Sequence, residues 1–286
     1  MHRYIVHSCR LFFRYRFFIA LLFIFPLSAC AAYMAQDVSS ASRPEKPEAP
    51  TPSGALLRPE LRIGLSPDYD PLAYKDPRFG LVGVEVDFAN QLGRLLGKSI
   101  SFVELPFPQL IPALLADEID IIMSGMTITE QRLSLVTFAN PYAEISQMAL
   151  VRNQDRGSFS NIDAFLNVTG KVGYVESTTG EKAARAFFPK AMLTPEPSIE
   201  AGVDALRKAE IVVFIHDAPT VWRVAGRSND RDLMGLYWPL TKEPIGWALR
   251  KDDESLRFAV NEALDRMKLL GTHREILSRW VPLRIW

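Results

Sequence analysis

One guanidinium, two hydroxyl-rich turns and one carboxylate stand where this 286-residue chain could do chemistry. The guanidinium is Arg132, at the end of "IDIIMSGMTITEQR" (119–132). Its planar fork can grip a carboxylate through two parallel hydrogen bonds. Thr127 and Glu130 fit the S/T-x-x-E pattern of a capping box, and Thr178 and Glu181 fit it again in the second half. Each box directly follows an apolar run, so it brings hydroxyls and unpaired backbone N–H groups to a strand's end. Arg132 in the first turn of such a helix opposes the positive end of the backbone dipole, at a cost of about 0.3–1 kcal/mol. An anion held between this cation and the two turns would explain the placement; a surface arginine paired with Glu130 or Glu118 is the alternative. Asp217 closes "IVVFIHD" ahead of Pro219 and is either a counter-charge for an ammonium group or an ordinary helix N-cap. Either box alone is a common helix start. Two boxes, one per half, with an arginine beside one of them, point to a site for a zwitterion.

Such groups need strands to carry them. From Leu61 onward, "LRIGLS", "SISFVEL" and "IDIIMSG" read as strands, separated by the helical stretches "GVEVDFANQLGRLLG" and "PQLIPALLADE". The second half repeats the rhythm with "KVGYVEST", "GEKAARAFFP", "SIEAGVDALRKAE", "IVVFIHD" and "APTVWRVAG". The run "ESLRFAVNEALDRMKLLGTHREILSRW" predicts a long amphipathic helix at the end. Alternation of this kind predicts an α/β fold with largely parallel sheets. Two lobes of one plan, or a single doubly wound sheet, would both satisfy it. No GxGxxG or GxxxxGK[ST] loop follows any of these strands, which argues against a nucleotide phosphate site.

The N-terminus is different. "MHRYIVHSCRLFFRYR" holds four arginines and no acid, then "FFIALLFIFPL" and "SAC" follow. This is the layout of an export signal, with an apolar run too short to span a bilayer comfortably. "LSAC" (27–30) resembles the lipobox of bacterial lipoproteins, which marks residues 1–29 as a signal peptide and Cys30 as a lipidation site. The alternative is a plain signal peptide with Cys30 incidental. After cleavage Cys30 is the sole cysteine, so no internal disulfide and no cysteine zinc site can form. Overall charge is balanced at 33 basic against 33 acidic residues, and no basic block of nucleic-acid type occurs beyond the signal. Residues 30–59, rich in Pro, Ala, Ser and Glu, read as a disordered tether.

From about Leu61 to Trp280 the chain resembles the extracytoplasmic solute-binding proteins of polar amino-acid ABC transporters. The resemblance rests on "LRIGLSPDYDPLAY", "GLVGVEVDFANQLGRLLG", "FPQLIPALLADEIDIIMSGMTITEQR", "VTFANPY", "KVGYVESTTGE", "IVVFIHDAP" and "ALRKDD", in that order. It implies the two-lobed type II periplasmic binding-protein fold, each lobe a mixed sheet flanked by helices, with two hinge crossings near 147–153 and 244–250. Lobe 1 would comprise residues 60–149 and 247–286, and lobe 2 residues 150–246.

The resemblance also implies roles. Tyr69 and Phe107 would stack on the ligand's side chain, or else pack in the core. Ser124, Gly125 and Thr127 would form the hydrogen-bonding turn, and Arg132 would hold the carboxylate. Thr178 and Thr179 would contact that carboxylate from lobe 2, and Asp217 would take the ammonium group. Ser66 stands where binders of cationic amino acids often carry aspartate, which argues against lysine or arginine, although Asp68 and Asp70 lie close enough to replace it. Gly180 replaces a longer polar residue, and Val84 an aromatic one. The implied function is extracytoplasmic binding of a free amino acid for delivery to an ABC permease, without cofactor, metal or nucleic acid, on a lipid-anchored protein. Two other functions fit the same fold: a ligand-sensing lipoprotein uncoupled from transport, and a cyclohexadienyl dehydratase with Glu176 or His216 as general acid. His216 and Asp217, as strand neighbours, would point to opposite faces.

Overall fold

The computed structural model describes residues 49–52, 54–226 and 232–281. The expected signal segment, Cys30 and the first part of the expected tether lie outside the described residues. One boundary needs correction: the folded body begins before residue 60. A 3₁₀ turn at Gly54–Leu57 buries Ala55 completely, and the Lys98 Nζ donates to the Leu56 carbonyl at 2.6 Å. The apolar pair Ala55–Leu56 gives this end of the Pro-rich stretch something to bury.

The first strand, β1 (Glu60–Leu65), leads into a small antiparallel meander of β2 (Asp68–Tyr69), β3 (Ala73–Asp76) and β4 (Gly80–Val82). Helix α1 (Val84–Leu96) follows, ended by Gly97 in the left-handed conformation that a β-carbon would strain. Then come β5 (Ser99–Glu104), α2 (Leu110–Leu115), β6 (Ile121–Ile122), the short α3 (Glu130–Leu133), β7 (Thr137–Phe138) and β8 (Ala143–Ile145). Next are β9 (Gln147–Arg152), α4 (Ile162–Leu166), β10 (Lys171–Val175), α5 (Thr179–Phe187), β11 (Met192–Glu196), α6 (Ile199–Arg207), β12 (Val213–Asp217), α7 (Ala218–Gly226) and β13 (Leu233–Leu236). The last part holds β14 (Glu243–Ile245), β15 (Ala248–Leu249), α8 (Glu254–Leu269) and α9 (Thr272–Trp280).

Two five-stranded mixed sheets result, one in each lobe. The first runs β5-β1-β6-β15-β7, with β1 parallel to β5 and β6 and the returning β15 antiparallel to its neighbours. The second runs β11-β10-β12-β9-β13, with β10 parallel to β11 and β12, and β9 antiparallel. Strands β9 and β12 are buried almost throughout, as expected for strands covered on both faces. Between the sheets, β8 and β14 pair as a separate two-stranded ribbon. The chain therefore changes sheet at this ribbon, and β9 belongs whole to the second sheet, ahead of the expected start at 150.

In the first lobe α1 packs on α8 and α9, burying Val84, Phe88, Ala89 and Leu92 in one core with Leu256, Val260, Leu264 and Met267. Each of these side chains larger than alanine contributes about 1.5–3 kcal/mol. Trp247 is fully buried in the same core. The single long C-terminal helix does not form. Gly271, at φ 79°, is the N-cap of α9 and breaks the run after α8.

Candidate functional site

The ends of the parallel strands converge between the lobes. Ser66 follows β1, Ser124 and Gly125 follow β6, Thr178 follows β10, and Asp217 ends β12. Open α/β sheets bind ligands outside these carboxyl ends. Here the ends border a partly open cavity walled by Tyr69, Phe107, Thr127, Arg132, Thr179 and Asp217 among others. Gly125 and Thr178 also line it. Ser124 does not: it is buried, and its Oγ accepts from the Ser66 N–H at 3.0 Å.

Arg132 has a different local setting from the one expected. Helix α3 has only four residues, and its N-cap is Thr129, whose hydroxyl accepts from the Arg132 N–H at 3.2 Å. The Thr127 hydroxyl donates instead to Glu243 Oε2 at 2.9 Å, so the first capping box does not form. A helix this short has little dipole to oppose a cation. The guanidinium is fixed by donating to the Thr127 carbonyl at 2.8 Å and by lying 5.3 Å from the centroid of the Phe107 ring. Among the described residues it forms no ion pair, with Glu130, Glu118 or any other acid. Burial lowers its pKa from the ordinary value, opposed by the Asp217 and Glu243 carboxylates.

The second box forms in part. Thr178 is the N-cap of α5, but its hydroxyl donates to the Val175 carbonyl at 2.6 Å rather than capping the helix. Glu181 does reach back, accepting from the Ser177 N–H at 3.0 Å. The first N–H groups of α5 consequently have no side-chain cap.

Asp217 is not a helix cap. One carboxylate oxygen accepts from the Tyr69 hydroxyl across the cleft and the other from Gln147 Nε2. Burial pushes its pKa up to about 7; Glu243 adds to the rise, while the bonds from Tyr69 and Gln147 and the Arg132 charge oppose it. Burial and the Asp217 charge hold the Tyr69 phenol above its ordinary value, so it remains a donor. Thr127 and Thr179 face each other at 3.5 Å, a second approach between the lobes. The cavity thus offers an unpaired guanidinium on one lobe and a destabilised carboxylate on the other.

A match to the bacterial extracellular solute-binding proteins, family 3, spans residues 61–282. The chain belongs to that family. The histidine-binding periplasmic protein of Salmonella typhimurium is 28% identical over 253 residues, covering 82% of this chain and 93% of the relative. An ancestral amino acid-binding protein, described as a precursor of cyclohexadienyl dehydratase, superposes with a TM-score of 0.72 at 31% identity, covering 79% of this chain and 96% of its own. An ancestral arginine-binding protein bound to arginine gives a TM-score of 0.73 at 26% identity, covering 79% and 99%.

Two buried polar residues that hold the lining of this family-3 cleft from behind escaped sequence reasoning. Gln147 bridges Asp217 and Thr179, and Glu243 accepts from both Thr127 and Thr241. The only signal for Gln147 was one polar residue opening the apolar run 148–151. For the enzyme alternative, Glu176 is exposed and outside the cavity lining. His216 does line the cavity together with Asp217, but burial pushes its pKa down to about 4 and leaves it neutral rather than acidic near pH 7.

Proposed function

We propose that this chain binds a free amino acid between its lobes, outside the cytoplasm, and delivers it to an ABC permease. The observation that carries this reading is the complementary pair in one cavity: Arg132 without an ion pair among the described residues, and Asp217 held near pH 7. Arg132, the Thr127 turn and the uncapped start of α5, with Thr178 and Thr179, receive the carboxylate. Asp217 receives the ammonium group, and Tyr69 and Phe107 flank the side chain. The same strand-end contacts, Gly125 included, are the ones the family resemblance assigns to the ligand; Ser124 supports them from behind.

Each buried charge-assisted hydrogen bond contributes about 1.5–3 kcal/mol. Two or three of them, with aromatic contact, are enough for a micromolar Kd, about −8 kcal/mol, after the cost of association. A ligand touching both lobes favours the closed arrangement, and the β8–β14 ribbon is the natural hinge. Residues 1–29 would direct export and a lipid on Cys30 would hold the protein at a membrane. Among the described residues no helix is long and apolar enough to cross one. Isothermal titration of the purified protein against the common amino acids should show micromolar binding of at least one, abolished by R132A. No heat with any of them rejects the reading.

A further inference from the structure

The chain passes between its two large sheets twice, just before β9 and at β14, and a continuous run of hydrogen bonds goes through both places. It begins at Arg132, which donates to the Thr127 carbonyl at 2.8 Å, while the Thr127 hydroxyl donates to Glu243 Oε2 at 2.9 Å. Backbone bonds stitch the same turn to β14. The Ile128 N–H donates to the Pro244 carbonyl at 2.8 Å, and the Gly246 N–H to the Met126 carbonyl at 3.1 Å. Glu243 is thereby fixed to the first sheet's side of the cleft. Two residues earlier, Thr241 is fixed to the second. Its hydroxyl accepts from the Gln147 N–H at 2.9 Å, and the Leu240 N–H donates to the Gln147 carbonyl at 2.9 Å. The Gln147 amide in turn donates to Asp217 and, at 3.0 Å, to Thr179. A single side-chain bond completes the run, from the Thr241 hydroxyl to Glu243 Oε1 at 2.7 Å. Thr241 accepts from Gln147, so its one hydrogen is left for Glu243.

Resting on the amino-acid reading above, we infer that Glu243 is a positioning residue for ligand binding: through Thr241 it holds the Thr127–Arg132 turn in register with Gln147, and so with Asp217. The ligand meets the two ends of this run and not its middle, since Gln147, Thr241 and Glu243 are all outside the cavity lining. Gln147 and Glu243 are buried, so breaking a bond here leaves a polar group without water to replace its partner. Gly180 gives the Gln147 amide its room, because a β-carbon there would come within 3.2 Å of Gln147 Oε1. Glu243 also acts by its charge. Asp217 is faced by Tyr69 from β2, Arg132 from α3 and Glu243 from β14, with His216 next to it in β12 held neutral near pH 7 by burial. Of these, the Glu243 carboxylate is the one that helps Asp217 keep its proton. One side chain thus steadies the carboxylate-binding turn through a bond and tunes the ammonium partner through space.

The test measures amino-acid binding to the wild type, T241V and E243Q by calorimetry at pH 7, in buffers of different ionisation enthalpy. T241V keeps size and charge and removes the bond that completes the run. It should weaken every amino acid bound by the wild type about three- to tenfold, in an unchanged order of preference. Its proton release on binding should equal that of the wild type. E243Q keeps the shape, removes the charge and turns an amide donor toward hydroxyls that are already donors. It should weaken binding at least as much as T241V. It should also release fewer protons at pH 7, because Asp217, with one negative neighbour fewer, titrates lower. Damage to the fold alone would lower the melting temperature and leave the protons released per bound ligand as they were. Wild-type affinity in both variants, an altered order of preference, or undiminished proton release in E243Q overturns the inference while leaving the amino-acid reading intact. Binding of no amino acid by the wild type overturns both.

Discussion

At the scale of single residues, Asp217 is where pH should act. Its carboxyl titrates near 7 in the folded chain against an ordinary 3.8, because burial penalises the charge. Between those values the folded protein keeps a proton that the unfolded chain has lost, so stability falls as pH rises. The contribution is fully present below about 4 and is lost as pH passes through about 7, a span of at most about 4 kcal/mol. The melting temperature of the ligand-free protein should therefore decline from pH 5 to pH 8, and D217N should flatten the decline. An ammonium group seated on Asp217 favours the carboxylate, so binding near pH 7 should release protons and affinity should rise to a plateau above that pH. Titration in buffers of different ionisation enthalpy measures the release; none at pH 7 would remove Asp217 as the ammonium partner. Asp217 was legible in the sequence because a charge at the end of an apolar strand needs a reason, and Arg132 because a cation at a helix start does. Glu243 was not, because its partner Thr127 lies 116 positions away and nothing local marks a contact closed by the fold.

At the scale of elements, the cleft turn is held from behind by a helix. Glu85, in the first turn of α1, is fully buried, and its carboxylate accepts from the Gly125 N–H at 2.6 Å, the Tyr142 hydroxyl at 2.7 Å and the Trp247 Nε1–H at 3.0 Å. Burial raises its pKa and these three donors oppose the rise. Gly125 itself sits at φ 61°, where a β-carbon would come within 2.4 Å of Leu72 and 2.8 Å of Tyr69. Replacing Glu85 by Gln turns an amide donor toward groups that are already donors. E85Q should cost about 2–4 kcal/mol, read as a lower melting temperature, and should weaken ligand binding by loosening the Gly125 turn; an unchanged melting temperature would refute this. The strand and helix rhythm was readable from periodicity, and the "EVDFA" segment contributed to the resemblance without showing what its glutamate holds. The capping boxes misled in detail. Thr127 and Thr178 both spend their hydroxyls elsewhere, on Glu243 and on the Val175 carbonyl, because tertiary acceptors compete with local N–H groups.

At the scale of the whole molecule, closure is secured by contacts on both sides of the cleft, and they differ in kind. Tyr69 to Asp217 is buried and joins two residues of the proposed ligand site. Arg223 on α7 meets Asp70, after β2, at 3.1 Å on the rim, and the Thr220 hydroxyl donates to the Asp70 carbonyl at 3.3 Å. The Arg223 side chain is 42% exposed, so the ion pair is screened and worth at most about 1 kcal/mol. It joins a residue of each lobe, and Arg223 is not among the residues lining the cavity. Losing it should shift the open–closed balance without altering any contact to the ligand. R223A should therefore weaken binding by no more than about fivefold, leave the order of ligand preference unchanged, and lose its effect at high salt. Small-angle scattering should show a larger radius of gyration for the ligand-free variant and the same radius as wild type at saturation. A change in ligand preference, or a loss comparable to that in R132A, would place Arg223 in the site and dismiss the rim pair as a closure contact.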